Sequence, residues 1–373
     1  MPDVSPLLSR RAWACLTMLA LTGAVFVLKY GARVPGLSER GSIAVALVFA
    51  VAYIAAIVGA RVASSAPWLR DRRWLLTAGA VLGLASVVVL AALSPDVSRV
   101  ARSPAIADWL GRLANGQFPY GPPTDPSGFP GLFLLAAPFW ALGALWLIAP
   151  VGTALAWALV RRAGGAASLA GWVGLMLFPP TFYEALVRSE LVFNGALSMG
   201  AVLVAEWARR RDTGGALILA GLATGLVLST RLSAALVLVV YGVWLLRRAP
   251  QFAMRYGILA ASVFALTLAP LVLWSPDAFI EVGPFAVQGA YLPLLVQAAV
   301  VVAALLAGWV SRNAGDVLTS AGILIWLSVL VAFGIQVNDI GWAPTVWGDG
   351  FDLAYFVLPA PLLLWGAVRD DST

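Results

Sequence analysis

The chain has 373 residues, of which 61% are hydrophobic and only 11% are charged. Its mean hydropathy is +0.90. Soluble domains carry about 25% charged residues, so this composition excludes a water-soluble globular protein. The formal charge of +6 does not indicate a nucleic-acid partner, because the arginines form short clusters between apolar segments, as the positive-inside rule predicts for membrane proteins.

Long uncharged windows recur along the chain, for example at 12–28, 42–60 and 75–93. A spanning helix needs about 20 apolar residues, whereas membrane barrels give short alternating strands. We therefore predict an all-α polytopic membrane protein with about twelve transmembrane helices. Their approximate positions are 12–29, 42–60, 74–93, 144–160, 166–179, 191–207, 215–230, 232–247, 257–274, 291–309, 317–335 and 351–367.

The arginine clusters set the predicted orientation. Short loops that carry adjacent or closely spaced arginines are expected inside, which places both termini in the cytoplasm of an inner (plasma) membrane protein. The long polar segments 94–128 and 336–350, and the shorter 275–293, then lie outside. Function usually resides in long loops held by a rigid scaffold, so we expect the active face to be the outer one.

The first outer loop predicts interfacial and re-entrant helices. Asp96 follows the third span directly and is placed at the membrane surface. Segment 105–113 has its apolar residues on one helical face, as in a helix that lies flat on the membrane. Segment 129–143 is apolar, but it is only about 15 residues long and is interrupted by prolines, so we interpret it as re-entrant or interfacial.

The order of a span, Asp96, an interfacial helix, Gly-x-x-Pro-Tyr at 116–120 and a short apolar helix resembles the first outer loop of the C-superfamily (GT-C) glycosyltransferases. Segments 178–211 and 214–248 resemble the second outer loop of these enzymes and the helices behind it. Glu190 and Arg231 fall on the acidic and basic positions of that pattern. The resemblance covers residues 74–248 of a single transmembrane domain, with two extra helices in 1–73 and further helices in 249–373.

The resemblance implies an inverting, mannosyltransferase-like enzyme of cell-envelope glycan synthesis. Its donor would be a polyprenyl-phosphate sugar, and its acceptor a glycan, lipid or protein. A loop carboxylate removes the acceptor proton, so Asp96 is the expected catalytic base. Asp108 is the alternative, because the spacing from Asp96 to Pro-Tyr is longer than in the family. Substrate-binding residues are expected to be Glu190, Arg231, Arg188, Arg102 and Tyr120.

Other interpretations remain open from the residues alone. Asp96 alternatively caps the interfacial helix or pairs with Arg99 or Arg102 in its own loop. Glu190 alternatively interacts with a helix dipole, and Arg231 reaches lipid headgroups. A transporter or lipid flippase is the alternative function, although such proteins place ionisable residues within spans; a noncatalytic assembly subunit is a third. No cofactor is expected: without histidine or a second cysteine a Cys/His metal site is excluded, and a divalent cation would have only Asp96 and Glu190.

Overall fold

The computed structural model describes residues 8–31, 33, 38–64, 73–93, 102–290, 292–348 and 350–369. These residues form helices and contain no strand. In chain order the α-helices are α1 (Arg10–Gly31), α2 (Glu39–Ser64), α3 (Arg73–Leu93), α4 (Arg102–Ala114), α5 (Pro130–Ala141), α6 (Ile148–Val160), α7 (Gly165–Met176), α8 (Pro179–Leu186), α9 (Leu191–Arg211), α10 (Gly214–Leu228), α11 (Leu232–Arg248), α12 (Pro250–Trp274), α13 (Pro276–Glu281), α14 (Pro284–Gly289), α15 (Leu294–Val310), α16 (Ala314–Ile340), α17 (Trp342–Val346) and α18 (Ala360–Val368).

Local sequence explains where many helices begin. Proline occupies the first turn of α5, α8, α12, α13 and α14, where its missing N–H costs nothing and its fixed φ suits a helix. Thr213 and Asn313 cap α10 and α16 by accepting hydrogen bonds from backbone N–H groups of the first turn. Such capping satisfies donors that the helix itself leaves open.

Within the described ranges, six helical segments are long and apolar enough to cross a bilayer, namely α1, α2, Leu145–Ala163, α9, α12 and α16. A seventh results if the bent pair Pro276–Gly289 and Leu294–Val310 is one span. Most of α12 is exposed, since only 11% of its most apolar window is buried, as expected for a lipid-facing helix. The protein is thus an α-helical membrane protein.

The predicted count of about twelve exceeds these six or seven segments. Several predicted spans coincide with shorter apolar helices, among them Thr77–Leu93, Gly214–Leu228 and Leu353–Val368. The helix in the predicted span 166–179 ends at Met176, three residues before Pro179, where α8 starts. Some uncharged windows in the sequence are therefore longer than the continuous helix that they contain.

The two ends of the helical bundle differ in composition. At one end, here called the arginine end, Arg11 and Arg369 pair with Asp316 at 2.9 and 3.3 Å, and Arg61 donates to the carbonyl of Ala367. At the other end, here called the loop end, Lys29 donates to the carbonyl of Gly348 at 3.1 Å. Loops that the sequence assigns to the same side therefore meet in space.

Helix α5 begins and ends near the loop end. Phe129, just before it, donates its backbone N–H to the carbonyl of Thr230 at 3.0 Å. Ile148, just after the following turn, packs with Trp109 of α4 and Phe133 of α5. At 12 residues, α5 is shorter than the helices that are long enough to cross a bilayer alone.

Candidate functional site

Helix α4 is held in place by an aromatic core. Its buried face includes Ile106, Trp109 and Leu110. The ring of Trp109 stacks on Phe133 of α5, with centroids 4.3 Å apart and planes inclined by 8°, and Tyr120 meets Trp109 edge-on at 6.0 Å. This packing fixes the first residue of α4, Arg102, which is buried beside the ends of α9 and α11.

The loop between α4 and α5 is fastened at several points. Tyr120 donates its hydroxyl to the carbonyl of Gly128 at 3.0 Å. Asp108 pairs with Arg112 at 3.1 Å and accepts a hydrogen bond from Thr124 at 2.7 Å. These contacts keep the loop folded back over α4, so that residues 124–128 line a cavity next to Arg102.

Four charged side chains meet at this cavity, and we call them the charge cluster: Arg102, Glu190, Arg231 and Asp352. Arg102 lies 3.4 Å from Glu190 and 2.5 Å from Asp352. Arg231 donates to the same oxygen of Glu190, Oε1, that Arg102 contacts. The cluster therefore joins four separate segments of the chain, and its formal charges sum to zero.

The surroundings of the cluster keep its carboxylates ionised. Burial would raise the pKa of Glu190, but Arg231 and Arg102 outweigh burial and hold that pKa below its usual value. Burial acts in the same direction on Asp352, and Arg102 again lowers its pKa below the usual range. Burial would lower the pKa of Arg102, yet Asp352 and Glu190 hold it well above its ordinary value. Opposite charges at short distance favour the charged forms.

Glu184 of α8 lies next to the cluster in a different environment. Its Oε2 accepts hydrogen bonds from the backbone N–H groups of Leu191 and Val192, at 2.9 and 3.3 Å, at the start of α9. Helix N-termini attract anions. Burial nevertheless raises the pKa of Glu184 to about 7, with Arg102 lowering it and Glu190 raising it. Glu184 is thus a buried carboxyl group beside the cluster whose pKa lies near neutral pH.

Buried polar atoms without hydrogen-bond partners concentrate around the start of α9. Within the described part of the chain they include Nε of Arg102, Nε of Arg231, Oε2 of Glu190 and Oδ1 of Asn194. A buried polar group left without a partner costs about 1–3 kcal/mol. Such groups are few in native proteins and call for an explanation, and a site that binds a polar ligand supplies one.

The cavity has a volume of about 180 Å³ and is lined by all four members of the charge cluster, together with Asp125, Ser127 and Tyr355. Arg102 lies over the ring of Tyr355, 4.8 Å from its centroid. Asp125 is exposed, and it has no ion pair with any residue in the described ranges. The cavity therefore combines two guanidinium groups with an accessible carboxylate.

Three residues that the sequence proposed for substrate binding lie together here: Arg102, Glu190 and Arg231. The other candidates lie elsewhere. Tyr120 is buried behind the loop, and Arg188 is half-buried with a positive φ of 52° and does not line the cavity. Asp108, the alternative base, is paired with Arg112 outside the cavity lining, and Asp96 lies outside the described residues.

Sequence reasoning missed four residues of the site: Asp125, Glu184, Asp352 and Tyr355. Asp125 follows a turn within the predicted active loop, but nothing in its neighbours distinguishes it. Asp352 and Tyr355 fall at the start of the predicted last span 351–367, Asp352 directly before the 3-10 helix Leu353–Val357 and Tyr355 within it. There they resemble membrane-interface residues. A search for polar residues directly before each helix at the loop end would have identified Asp352.

No group of three or more His, Cys, Asp or Glu side chains suited to a metal ion occurs among the residues that the structure describes. No family model, curated protein or solved structure matches the chain. The function is therefore argued from the geometry of the site.

Proposed function

We propose that this protein is an inverting glycosyltransferase that moves a sugar from a polyprenyl-phosphate donor to an acceptor at the outer face of the membrane. The supporting observation is the loop-end cavity, in which buried Arg102 and Arg231 stand opposite an accessible carboxylate. Arginine binds phosphate oxygens through pairs of parallel hydrogen bonds. A lipid phosphate at the membrane surface can reach this cavity while its chain stays in the bilayer.

The proposed reaction needs a carboxylate that takes up a proton and cations that stabilise the leaving phosphate. An acceptor hydroxyl attacks the anomeric carbon, its proton passes to a carboxylate, and the bond between that carbon and the phosphate oxygen breaks with its electron pair on the phosphate. Arg102 and Arg231 stabilise the leaving phosphate, as preorganised cations do in enzyme sites. Asp96 is the base that the resemblance implies, and Asp125 is the cavity carboxylate whose position suits the same task.

The proposal includes the twelve-span topology. In it the arginine end faces the cytoplasm, the loop end faces outward, and the shorter apolar helices cross together with the longer ones. Support comes from the clustering of Arg11, Arg61 and Arg369 at one end and from the positive-inside rule. Labelling of single cysteines placed at Gln117 and Arg162, after Cys15→Ser, tests the orientation: we expect an impermeant thiol reagent to reach only position 117 from outside.

The catalytic test uses the full chain reconstituted in lipid bilayers with a polyprenyl-phosphate sugar donor and a mixture of membrane glycan acceptors. We expect Asp96→Asn or Asp125→Asn to reduce transfer by about 10²-fold or more, as loss of a general base does. Asp277→Asn is the matched control, because this carboxylate is exposed on α13 and does not line the cavity. Wild-type levels of transfer in both the Asp96 and Asp125 variants contradict the proposed mechanism.

A transporter or lipid flippase is the competing function. Transport sites commonly lie near the bilayer midplane, among ionisable residues within the spans. Here Glu190 and Arg231 directly precede the first residues of α9 and α11, so the charge cluster stands at helix ends. This position favours chemistry at the membrane surface, and movement of labelled lipid across protein-containing vesicles without sugar transfer is the result that favours the transporter.

A further inference from the structure

We propose that Glu190 is the exchangeable counter-ion of an anion site formed by Arg102 and Arg231, and that an incoming phosphate takes its place between the two guanidinium groups. The inference deepens the proposed function, on which it rests only for the choice of a phosphate as the anion. It gives Glu190 a role opposite to direct substrate binding.

The geometry shows that Glu190 only partly satisfies the two arginines. A single oxygen, Oε1, accepts from both guanidinium groups, at 3.4 Å from Arg102 and in closer contact with Arg231. Its second oxygen, Oε2, and the Nε atoms of both arginines are buried without partners. Neither arginine therefore has the paired, parallel hydrogen bonds that a carboxylate or phosphate can give. A phosphate group has enough oxygens to accept from both Nε atoms.

The charge balance of the site requires that an incoming phosphate replace the negative charge of Glu190. The charge cluster sums to zero, so a phosphate added beside an ionised Glu190 gives a buried site a net negative charge, which is costly. The charged and titratable groups around Glu190 are Arg102 on α4, Arg231 before α11 and Glu184 on α8, with Asp352 beyond Arg102 and Asp125 at the cavity wall. Neutralising Glu190 restores the balance.

The start of α9 offers a place for the displaced side chain. Oδ1 of Asn194 is buried there without a partner, and Asn194 already donates its side-chain amide to the carbonyl of Glu190 at 3.0 Å. A protonated Glu190 can donate to Oδ1 of Asn194. Away from the two guanidinium groups, Glu190 loses the opposite charges that hold its pKa low while it stays buried, so the exchange takes up a proton.

The first test measures inorganic phosphate binding to the purified full chain in lipid nanodiscs by calorimetry. We expect Glu190→Gln to bind phosphate at least about tenfold more tightly than wild type, because removal of a neighbouring negative charge strengthens anion binding. We expect Arg231→Gln to abolish measurable binding. The matched control is Glu281→Gln, an exposed carboxylate at the loop end, which leaves affinity unchanged. A folded Glu190→Gln protein with equal or weaker affinity overturns the proposal.

A second test needs only the wild-type protein. Inorganic sulfate carries no titratable proton near neutral pH, so its heat of binding in buffers of different ionisation enthalpy counts protons taken up by the protein. We expect about one proton per sulfate near pH 7; none overturns the exchange, even if Glu190→Gln fails to fold. Anion binding with proton uptake but without sugar transfer contradicts the proposed function alone, whereas sugar transfer without proton uptake contradicts this inference alone.

Discussion

Replacement of Gly131 by alanine tests how the active loop is held against Arg231. Gly131 is the second residue of α5, and a Cβ atom built on it would lie 2.6 Å from the carbonyl oxygen of Ser229 and 2.7 Å from that of Leu226. Both atoms belong to the backbone at the end of α10, so no side-chain rotation relieves the contact. Overpacking of this kind costs about 1–3 kcal/mol.

The close contact of Gly131 with the end of α10 also couples the stability of α5 to the geometry around Arg231. Three hydrogen bonds join this part of the chain to the end of α10: Gly131 N–H to Oγ of Ser229, Leu132 N–H to the carbonyl of Ser229 and Phe129 N–H to the carbonyl of Thr230, at 3.0, 3.1 and 3.0 Å. Displacing α5 strains all three. It also moves Ser127, whose hydroxyl accepts from Arg231 at 3.3 Å.

We therefore expect Gly131→Ala to lower the free energy of unfolding by about 1–3 kcal/mol and to weaken phosphate binding at the cavity. Unfolding in mixed detergent micelles, followed by circular dichroism, measures the first effect, and calorimetry the second. Gly111→Ala is the matched control. No atom lies within 4 Å of its added Cβ, and alanine in a helix is more stable than glycine by about 0.5–1 kcal/mol. Equal unfolding free energies for the two variants refute the reasoning.

Three further predictions concern other parts of the structure. Asn313→Ala removes the side-chain acceptor of the N–H of Asp316 at the start of α16 and should cost about 1 kcal/mol of unfolding free energy, measured by the same micelle titration with no change in phosphate affinity. Trp109→Ala should cost about 3–5 kcal/mol, because it empties the stack on Phe133, and the near-ultraviolet circular dichroism should weaken. For Glu184 the folded pKa of about 7 lies above the ordinary 4.5, so the native state keeps a proton that the unfolded chain releases. The contribution of Glu184 therefore lowers the free energy of unfolding as the pH rises from about 4.5 to 7, by about 3 kcal/mol in total. Glu184→Gln should flatten this dependence of the unfolding free energy on pH. An unchanged dependence contradicts the raised pKa of Glu184.

The sequence predicts the helical membrane class well, because uncharged apolar runs have few alternatives in a bilayer. It also selects Glu190 and Arg231, because they fall on the acidic and basic positions of the glycosyltransferase-like pattern, and Arg102, because it lies in the predicted first outer loop. The meeting of these residues in one cluster is a tertiary property. Helix packing alone brings the start of α4 to the start of α9, 88 residues away.

Asp352 shows what a one-dimensional pattern lacks. Before an apolar helix, an aspartate caps the backbone, and Asp352 does so by accepting from the N–H of Ala354 at 2.9 Å. Its other oxygen binds Arg102, 250 residues away in the chain. The capping role is visible in the sequence, but the ion pair depends on the position of α4, which only the folded bundle defines.

Distant segments of the chain also meet within the helical bundle, where Trp326 of α16 donates its indole N–H to the hydroxyl of Thr22 of α1, 304 residues earlier in the chain. Helices that insert early therefore complete their packing only after their partner helices have been synthesised, because packing between helices follows insertion. Arg102 and Arg231 enter the membrane region long before Asp352 is made. A growing chain thus lacks one of the two carboxylates of the charge cluster until Asp352 is added, and the cluster reaches zero formal charge only in the final stage of assembly.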